Sequence, residues 1–187
     1  MQTILATGGT GFIGSHTCIE LLKKGFKVII LDSLINSSKK VLDQIIKIGL
    51  NGENDFSKNC TFVFGDIRDL DLLESIFRKE YKNKNKIDAV IHFSGLKSVS
   101  ESFLNPLEYW DVNLGGTINL LKVMNKFSCN NLVFSSSATI YGLSHSVPMV
   151  EEHNISPTNP YGKTKVAIEN IFYDLYNSNM NLWKICS

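Results

Sequence analysis

The chain has 187 residues, enough for one domain of ordinary size with a real core. Hydrophobic residues make up 43% and charged residues 20%, and 19 Lys and Arg against 18 Asp and Glu leave a net charge of +1. So balanced a charge gives no global attraction to nucleic acid or to an anionic membrane, and a small molecule is the favoured partner.

The elements alternate along the chain. Short apolar or β-branched runs predict strands at Thr3 to Ala6, Val28 to Leu31, Thr61 to Phe64, Ala89 to Phe93 and Leu132 to Phe134. Between them lie helical patterns near 12 to 24, 38 to 48, 69 to 81, 106 to 127 and 160 to 178, with Gly25 as a helix stop and Pro106 and Pro160 as helix starters. Continuous apolar strands suit a sheet covered on both faces, and the alternation implies right-handed βαβ crossovers. The fold class is therefore α/β, a doubly wound parallel sheet of Rossmann type. Two polar stretches, 51 to 59 and 82 to 86, read as surface loops; Lys82, Lys84 and Lys86 form a solvated face rather than a nucleic-acid patch. The last residues, 181 to 187, read as a sixth strand, and a chain that stops there looks unfinished.

Cys18, Cys60, Cys129 and Cys186 stand far apart with no CxxC pair, so they read as reduced, mostly buried thiols and not as a zinc or disulfide framework. The start of the chain lacks a signal peptide and no apolar run approaches membrane-spanning length, so a cytoplasmic location is expected. His16 and His92 each stand alone without ligand spacing, and packed or capping roles are expected for them, with no metal.

Chemistry enters at the first strand-to-helix turn. Gly8, Gly11 and Gly14 are spaced Gly-x-x-Gly-x-x-Gly, where a side chain would keep the backbone from a pyrophosphate and a helix N-terminus offers free N–H groups to that anion. Asp32 follows the second strand, where a carboxylate can accept hydrogen bonds from ribose hydroxyls and would repel a 2′-phosphate, so NAD is expected over NADP. Farther on, Tyr161 and Lys165 are spaced i, i+4 on a predicted helix, which sets an ammonium beside a phenol and favours a phenolate able to act as a base. Ser137 follows the fifth strand at the edge where open α/β sheets hold ligands, and it could hydrogen-bond the same substrate oxygen as Tyr161. A nucleophilic serine is disfavoured because no Gly-x-Ser-x-Gly elbow is present.

The glycine spacing together with Ser137, Tyr161 and Lys165 resembles the extended short-chain dehydrogenase/reductase superfamily, and within it the UDP-glucose 4-epimerases. The strings that carry the resemblance are Gly11 to Thr17, Leu31 to Leu34 with Asn36 and Ser37, Gly65 to Asp69, His92 to Lys97, Pro106 to Tyr109 with Asn113, Ser135 to Gly142 and Pro160 to Lys163. The resemblance implies that Phe12 and Ile13 flank a pyrophosphate, that Asp32, Ser33, Leu34, Ile35, Asn36 and Ser37 surround the adenosine ribose, and that Asp66 and Ile67 contact adenine. It implies further that Phe93, Ser94, Gly95, Leu96, Lys97 and Asn113 line the rest of the cofactor, with Lys97, Ser137 and Tyr161 on the substrate side. The activity implied is NAD-dependent interconversion of UDP-glucose and UDP-galactose through a 4-keto intermediate.

The same likeness implies one NAD-binding domain over residues 1 to 187, with a separate C-terminal domain that would hold most of the UDP-sugar absent. It also implies a homodimer built on the helices near 106 to 127 and 160 to 178. Beside Asn113, Leu114-Gly115-Gly116 stands where the family usually has a more polar Val-Asn-Gly, and close backbone packing is the expected reason for two helix-interior glycines that cost roughly 1 kcal/mol each relative to alanine. Two rivals remain. A sugar-nucleotide 4,6-dehydratase would need an acidic pair where Ala138-Thr139 stands, and a silent NAD-binding module would have no use for Tyr161 with Lys165.

Overall fold

A computed structural model describes residues 1–50, 59–83, 85–143, 148–178 and 182–187. Six parallel strands form one sheet in the order β3-β2-β1-β4-β5-β6, with β1 Thr3–Thr7, β2 Lys27–Asp32, β3 Cys60–Phe64, β4 Ala89–His92, β5 Asn131–Phe134 and β6 Lys184–Cys186. The strand order reverses between β1 and β4, which opens a crevice at their carboxyl ends. This is the doubly wound Rossmann-type sheet expected from the alternation.

Successive residues of each strand face opposite sides, so neighbours divide between two cores. Leu5, Ile29 and Leu31 join one cluster with residues of α3 (Leu70–Lys82), α6 (Gly116–Lys126) and α7 (Pro160–Ser178). Ala6, Val28 and Ile30 join the other with Cys18 and Leu22 of α1 (Phe12–Lys23) and Leu42 and Ile45 of α2 (Lys39–Gly49). Leu5, Leu73 and Leu120 are wholly buried, and truncating such a side chain to alanine typically costs ~2–5 kcal/mol. The expectation of a sheet covered on both faces holds around β1 and β2 but not at β5, where Val133 is 45% exposed. Helices α1 and α2 pack over β1 to β3, and among the described residues no helix covers that outer face of β5.

Helix boundaries follow local chemistry. Gly25, at φ +79°, ends α1 as its N–H reaches the Leu22 carbonyl while Phe26 N–H reaches Leu21. The Asp69 side chain caps α3 by accepting from Leu72 N–H at 2.9 Å, and Asn159 accepts from Gly162 N–H at 2.7 Å at the start of α7. The helix expected over 106 to 127 is instead divided. A short α5 (Pro106–Tyr109) runs into a π-helical turn, Trp110–Gly115, before α6 begins. A further helix, α4 (Val99–Leu104), precedes it and was not anticipated, its Ser98 cap accepting from Glu101 N–H.

The two glycines at the end of the widened turn differ in their packing. A Cβ on Gly116 would collide with the Ile67 side chain, whereas one on Gly115 would meet only ordinary contact with Asp111. Close packing therefore explains Gly116 and not Gly115. The loop expected over 51 to 59 lies, for residues 51–58, outside the described residues, as do position 84 of the second polar stretch and position 181 of the last strand. Cys18, Cys60 and Cys129 are buried free thiols and Cys186 is exposed.

Candidate active site at the carboxyl edge of the sheet

A cavity of about 380 Å³ runs along the carboxyl ends of β2, β1, β4 and β5. At one end lies the glycine turn. Gly8 adopts φ +68°, and a Cβ there would fall within 3 Å of the Phe93 and Ser94 backbone; a Cβ on Gly14 would collide with the Gly8 carbonyl. These two glycines are required by the protein's own packing of turn, helix and neighbouring strand. Gly11 differs: its nearest obstacle is the Gly8 carbonyl at 3.2 Å, and the position lines the cavity. What a side chain at Gly11 would chiefly occupy is space open to a ligand beside the first turn of α1.

Asp32, at the end of β2, is 9% exposed and firmly held. Its Oδ2 accepts from Thr10 N–H at 3.0 Å, while Oδ1 accepts from Leu34 N–H at 2.9 Å and lies 3.4 Å from Ser37 Oγ. A carboxylate has about four acceptor directions, so Oδ2 keeps capacity toward the cavity. Leu34 contributes its backbone N–H rather than a wall: it does not line the cavity and sits at φ +57°, a conformation that costs a residue with a side chain roughly 1–3 kcal/mol. Ser33, Ile35, Asn36 and Ser37 do line the cavity, as do Phe12 and Ile13 across from them. Asp66 and Ile67 close this end. The Asp66 carboxylate is gripped by Arg68 through Nη2 at 2.7 Å and Nε at 3.0 Å, and these hydrogen bonds hold its pKa below the usual carboxylate value.

At the other end Ser137, Tyr161 and Lys165 line the same cavity. Lys165, 5% exposed, donates from Nζ to the Ser135 carbonyl at 2.8 Å and stands 4.3 Å from the centroid of the Phe134 ring and 5.8 Å from that of Tyr161. Burial pushes the Lys165 ammonium down to about 8, with Glu169 opposing, so the lysine remains a cation at neutral pH. Ser137 Oγ accepts from both Thr139 N–H at 3.2 Å and Thr139 Oγ1 at 3.0 Å. With both acceptor directions occupied, the serine proton is left to donate into the cavity. Tyr161 is 9% exposed, its ring edge-on to that of Tyr109. Gly162 lets the start of α7 approach the Thr139 carbonyl, which a Cβ would meet at 2.9 Å, so the tyrosine turn and the serine segment are pressed together.

Between the two ends, Phe93, Ser94, Gly95, Leu96 and Lys97 form a wall. Asn113 stands behind that wall and not on it. Its Oδ1 accepts from Leu96 N–H at 2.7 Å, and its Nδ2 donates to the Leu96 carbonyl at 3.0 Å and to Thr164 Oγ1 at 3.1 Å. Gly65, Val112, Ser135 and Ser136 also line the cavity and were not singled out from the sequence. Gly65 and Ser135 each directly follow a strand, and that position at the carboxyl edge was the available signal. His92 is buried and packed, as expected, while His16 is exposed on α1 with Phe12 edge-on at 5.3 Å, so neither packing into the core nor capping describes it.

Among the described residues no helix is long and apolar enough to cross a membrane. The family model described as GDP-mannose 4,6 dehydratase matches residues 5–186. A UDP-glucose 4-epimerase of Cyamopsis tetragonoloba is 47% identical over 184 residues, covering 98% of this chain and 49% of that protein, and the UDP-glucose 4-epimerase of Bacillus subtilis is 43% identical with 50% of its length covered. The crystal structure of UDP-glucose 4-epimerase from Bifidobacterium longum in complex with NAD+ and UDP superposes with a TM-score of 0.87 at 43% identity, over 98% of this chain and 51% of that one. The chain thus spans about half the length of the curated relatives it matches. With a glycine turn, an acid after β2 and a Ser-Tyr-Lys set on one parallel sheet, and a family model that spans nearly all of it, the chain belongs to the GDP-mannose 4,6 dehydratase family and is similar throughout to UDP-glucose 4-epimerases.

Proposed function

We propose that this chain is the NAD-binding domain of an enzyme that interconverts UDP-glucose and UDP-galactose, and that residues outside it hold most of the UDP-sugar. The observation that carries the reading is one continuous cavity with an anion-accepting glycine turn and Asp32 at one end and Ser137, Tyr161 and Lys165 at the other. The residues fit the cofactor: Gly11 leaves open the space that a pyrophosphate would take, the Asp32 carboxylate would accept from a ribose hydroxyl, and Asp66, kept ionised by Arg68, would accept from the adenine amino group. NAD, when bound, supplies a hydride acceptor that also returns the hydride.

The chain's own groups then manage the proton. Tyr161 would take it from the sugar 4-hydroxyl and later give it back, with the Lys165 ammonium 5.8 Å from the centroid of its ring and Ser137 placed to donate to the same sugar oxygen. Hydride leaving C4 of the hydroxy sugar and returning to the opposite face of the resulting 4-keto carbon would invert that one centre without net redox. Elimination, as in a 4,6-dehydratase, would need an acidic pair at 138 and 139; Ala138 carries no acid and Thr139 is spent on Ser137. A homodimer is part of the proposal, supported by Phe103, Leu104 and Leu107 on α4 and α5, which are 60%, 80% and 82% exposed, and by exposed Tyr173 on α7.

Calorimetric titration of the chain with NAD and separately with UDP-galactose tests the division of labour. NAD is expected to bind and UDP-galactose to bind far more weakly; no NAD binding, or tight sugar-nucleotide binding, would overturn it. In the longer protein this reading implies, Tyr161→Phe is expected to lower turnover by at least ~100-fold with NAD still bound, and unchanged turnover would remove the tyrosine from the chemistry.

A further inference from the structure

His92 is 1% exposed at the end of β4, directly before the wall formed by residues 93 to 97, and both of its ring nitrogens are engaged. Nδ1 lies 2.6 Å from Thr7 Oγ1, and Nε2 lies 2.9 Å from Thr117 Oγ1. The outer ends of this network decide which nitrogen carries the proton. Thr117 donates its single hydroxyl proton to the Asn113 carbonyl at 2.5 Å, and a carbonyl cannot donate in return. Thr117 Oγ1 is therefore the acceptor toward His92, and Nε2 must hold the ring proton. Nδ1 then accepts from Thr7 Oγ1, which itself receives the Ser94 N–H at 3.4 Å. One direction runs through the whole chain of bonds, from the Ser94 amide to the Asn113 carbonyl.

The far end matters because of what Asn113 holds. Its side chain clamps Leu96 by both backbone groups and reaches Thr164, whose hydroxyl donates to the Tyr161 carbonyl at 2.7 Å. This asparagine lies within the π-helical turn Trp110–Gly115. A single imidazole thus links the strand end just before the glycine turn, the cavity wall and the helical turn that carries Tyr161. A doubly protonated ring would aim a second donor at Thr7 and place a second cation near Lys165; burial, and then Lys165, push its pKa down to about 3.

We propose that His92, as the neutral Nε2–H tautomer, is a positioning residue that sets the Leu96 wall and the seat of Tyr161 through Thr117 and Asn113. The inference rests on the function proposed above only in that the groups it positions are the ones assigned to cofactor and proton transfer. Long-range 1H–15N NMR on the 187-residue chain reads the tautomer directly, and amide exchange reads the wall without any cofactor. The expected results are a proton on Nε2 at neutral pH and, in Thr117→Val, a loss of protection at the Leu96 amide about 10-fold greater than at Ile29, which serves as a core reference.

In single variants with Thr117 intact, His92→Gln, whose amide nitrogen can take the place of Nε2–H, is expected to keep most of the wild-type protection at Leu96, and His92→Phe is expected to lose it. Affinity for NAD should fall in the same order as Leu96 protection. A proton on Nδ1, or Leu96 and Ile29 losing protection in step, would overturn the proposal. A wild-type chain that fails to bind NAD would refute the cofactor reading while leaving the tautomer and exchange results to decide this one. Thr117→Val keeps the ring in place, so the test survives a His92→Phe protein that does not fold.

Discussion

The two ends of the cavity are built by opposite means. The glycine end is a backbone cradle: Gly8 and Gly14 are glycine because neighbouring main chain occupies the space of a side chain, and Asp32 is fixed largely by two backbone N–H groups. The tyrosine end is a side-chain construction, with Lys165 desolvated over Phe134, Ser137 oriented by Thr139, and Asn113 bracing the wall from behind. A cradle of backbone binds any ligand of the right shape and charge at little cost in ordering. A buried cation and directed hydroxyls cost stability, and they repay it only where a proton must move.

Substitutions at each end are therefore expected to act in opposite senses on stability. The largest effect belongs to the cradle. Gly8→Val combines a positive φ with a side chain driven against the Phe93 and Ser94 backbone, and a loss of roughly 3 kcal/mol or more is expected in urea unfolding. A loss under ~1 kcal/mol would show that the turn can be rebuilt without glycine.

Lys165 should behave the other way. Its pKa falls from 10.5 to about 8 on folding, so between those values the unfolded chain holds more protons and stability rises with pH. Below about pH 8 the lysine subtracts its full effect, on the order of 3 kcal/mol. Lys165→Met is expected to raise stability at neutral pH by ~1–3 kcal/mol, less than the full amount because the bond to Ser135 is also lost. The buried thiols of Cys18, Cys60 and Cys129 are pushed up to about 12, 11 and 11 and pull in the opposite direction at alkaline pH. The difference between the two proteins, followed by thermal unfolding across pH 7 to 10, cancels those thiols. A difference that does not shrink as pH rises would contradict the desolvated cation.

The cradle was almost wholly legible in the sequence, because spacing along a strand, a turn and a helix dictates it. Gly8, Gly11, Gly14 and Asp32 could be placed from local pattern alone, and so could the i, i+4 pair of Tyr161 and Lys165 on α7. The braces were not legible. Nothing local distinguishes Asn113 as a lining residue from Asn113 as a clamp; that depends on a π-helical turn and on partners, Leu96 and Thr164, that lie far from it in the chain. His92 read as an ordinary packed histidine for the same reason, since its partners Thr7 and Thr117 come from β1 and α6. The bare face of Val133 likewise reflects where helices lie, which an apolar run of residues does not record.

The central claim is that the space above Gly11 belongs to a dinucleotide. Gly11→Val tests it most directly, because among the described residues a Cβ there would come near only the Gly8 carbonyl oxygen, at 3.2 Å. In a calorimetric titration with NAD, the wild-type chain should bind one equivalent, and the variant should melt within a few degrees of it yet bind at least ~10-fold more weakly. Equal affinity in the two proteins would place the cofactor elsewhere or nowhere on this chain.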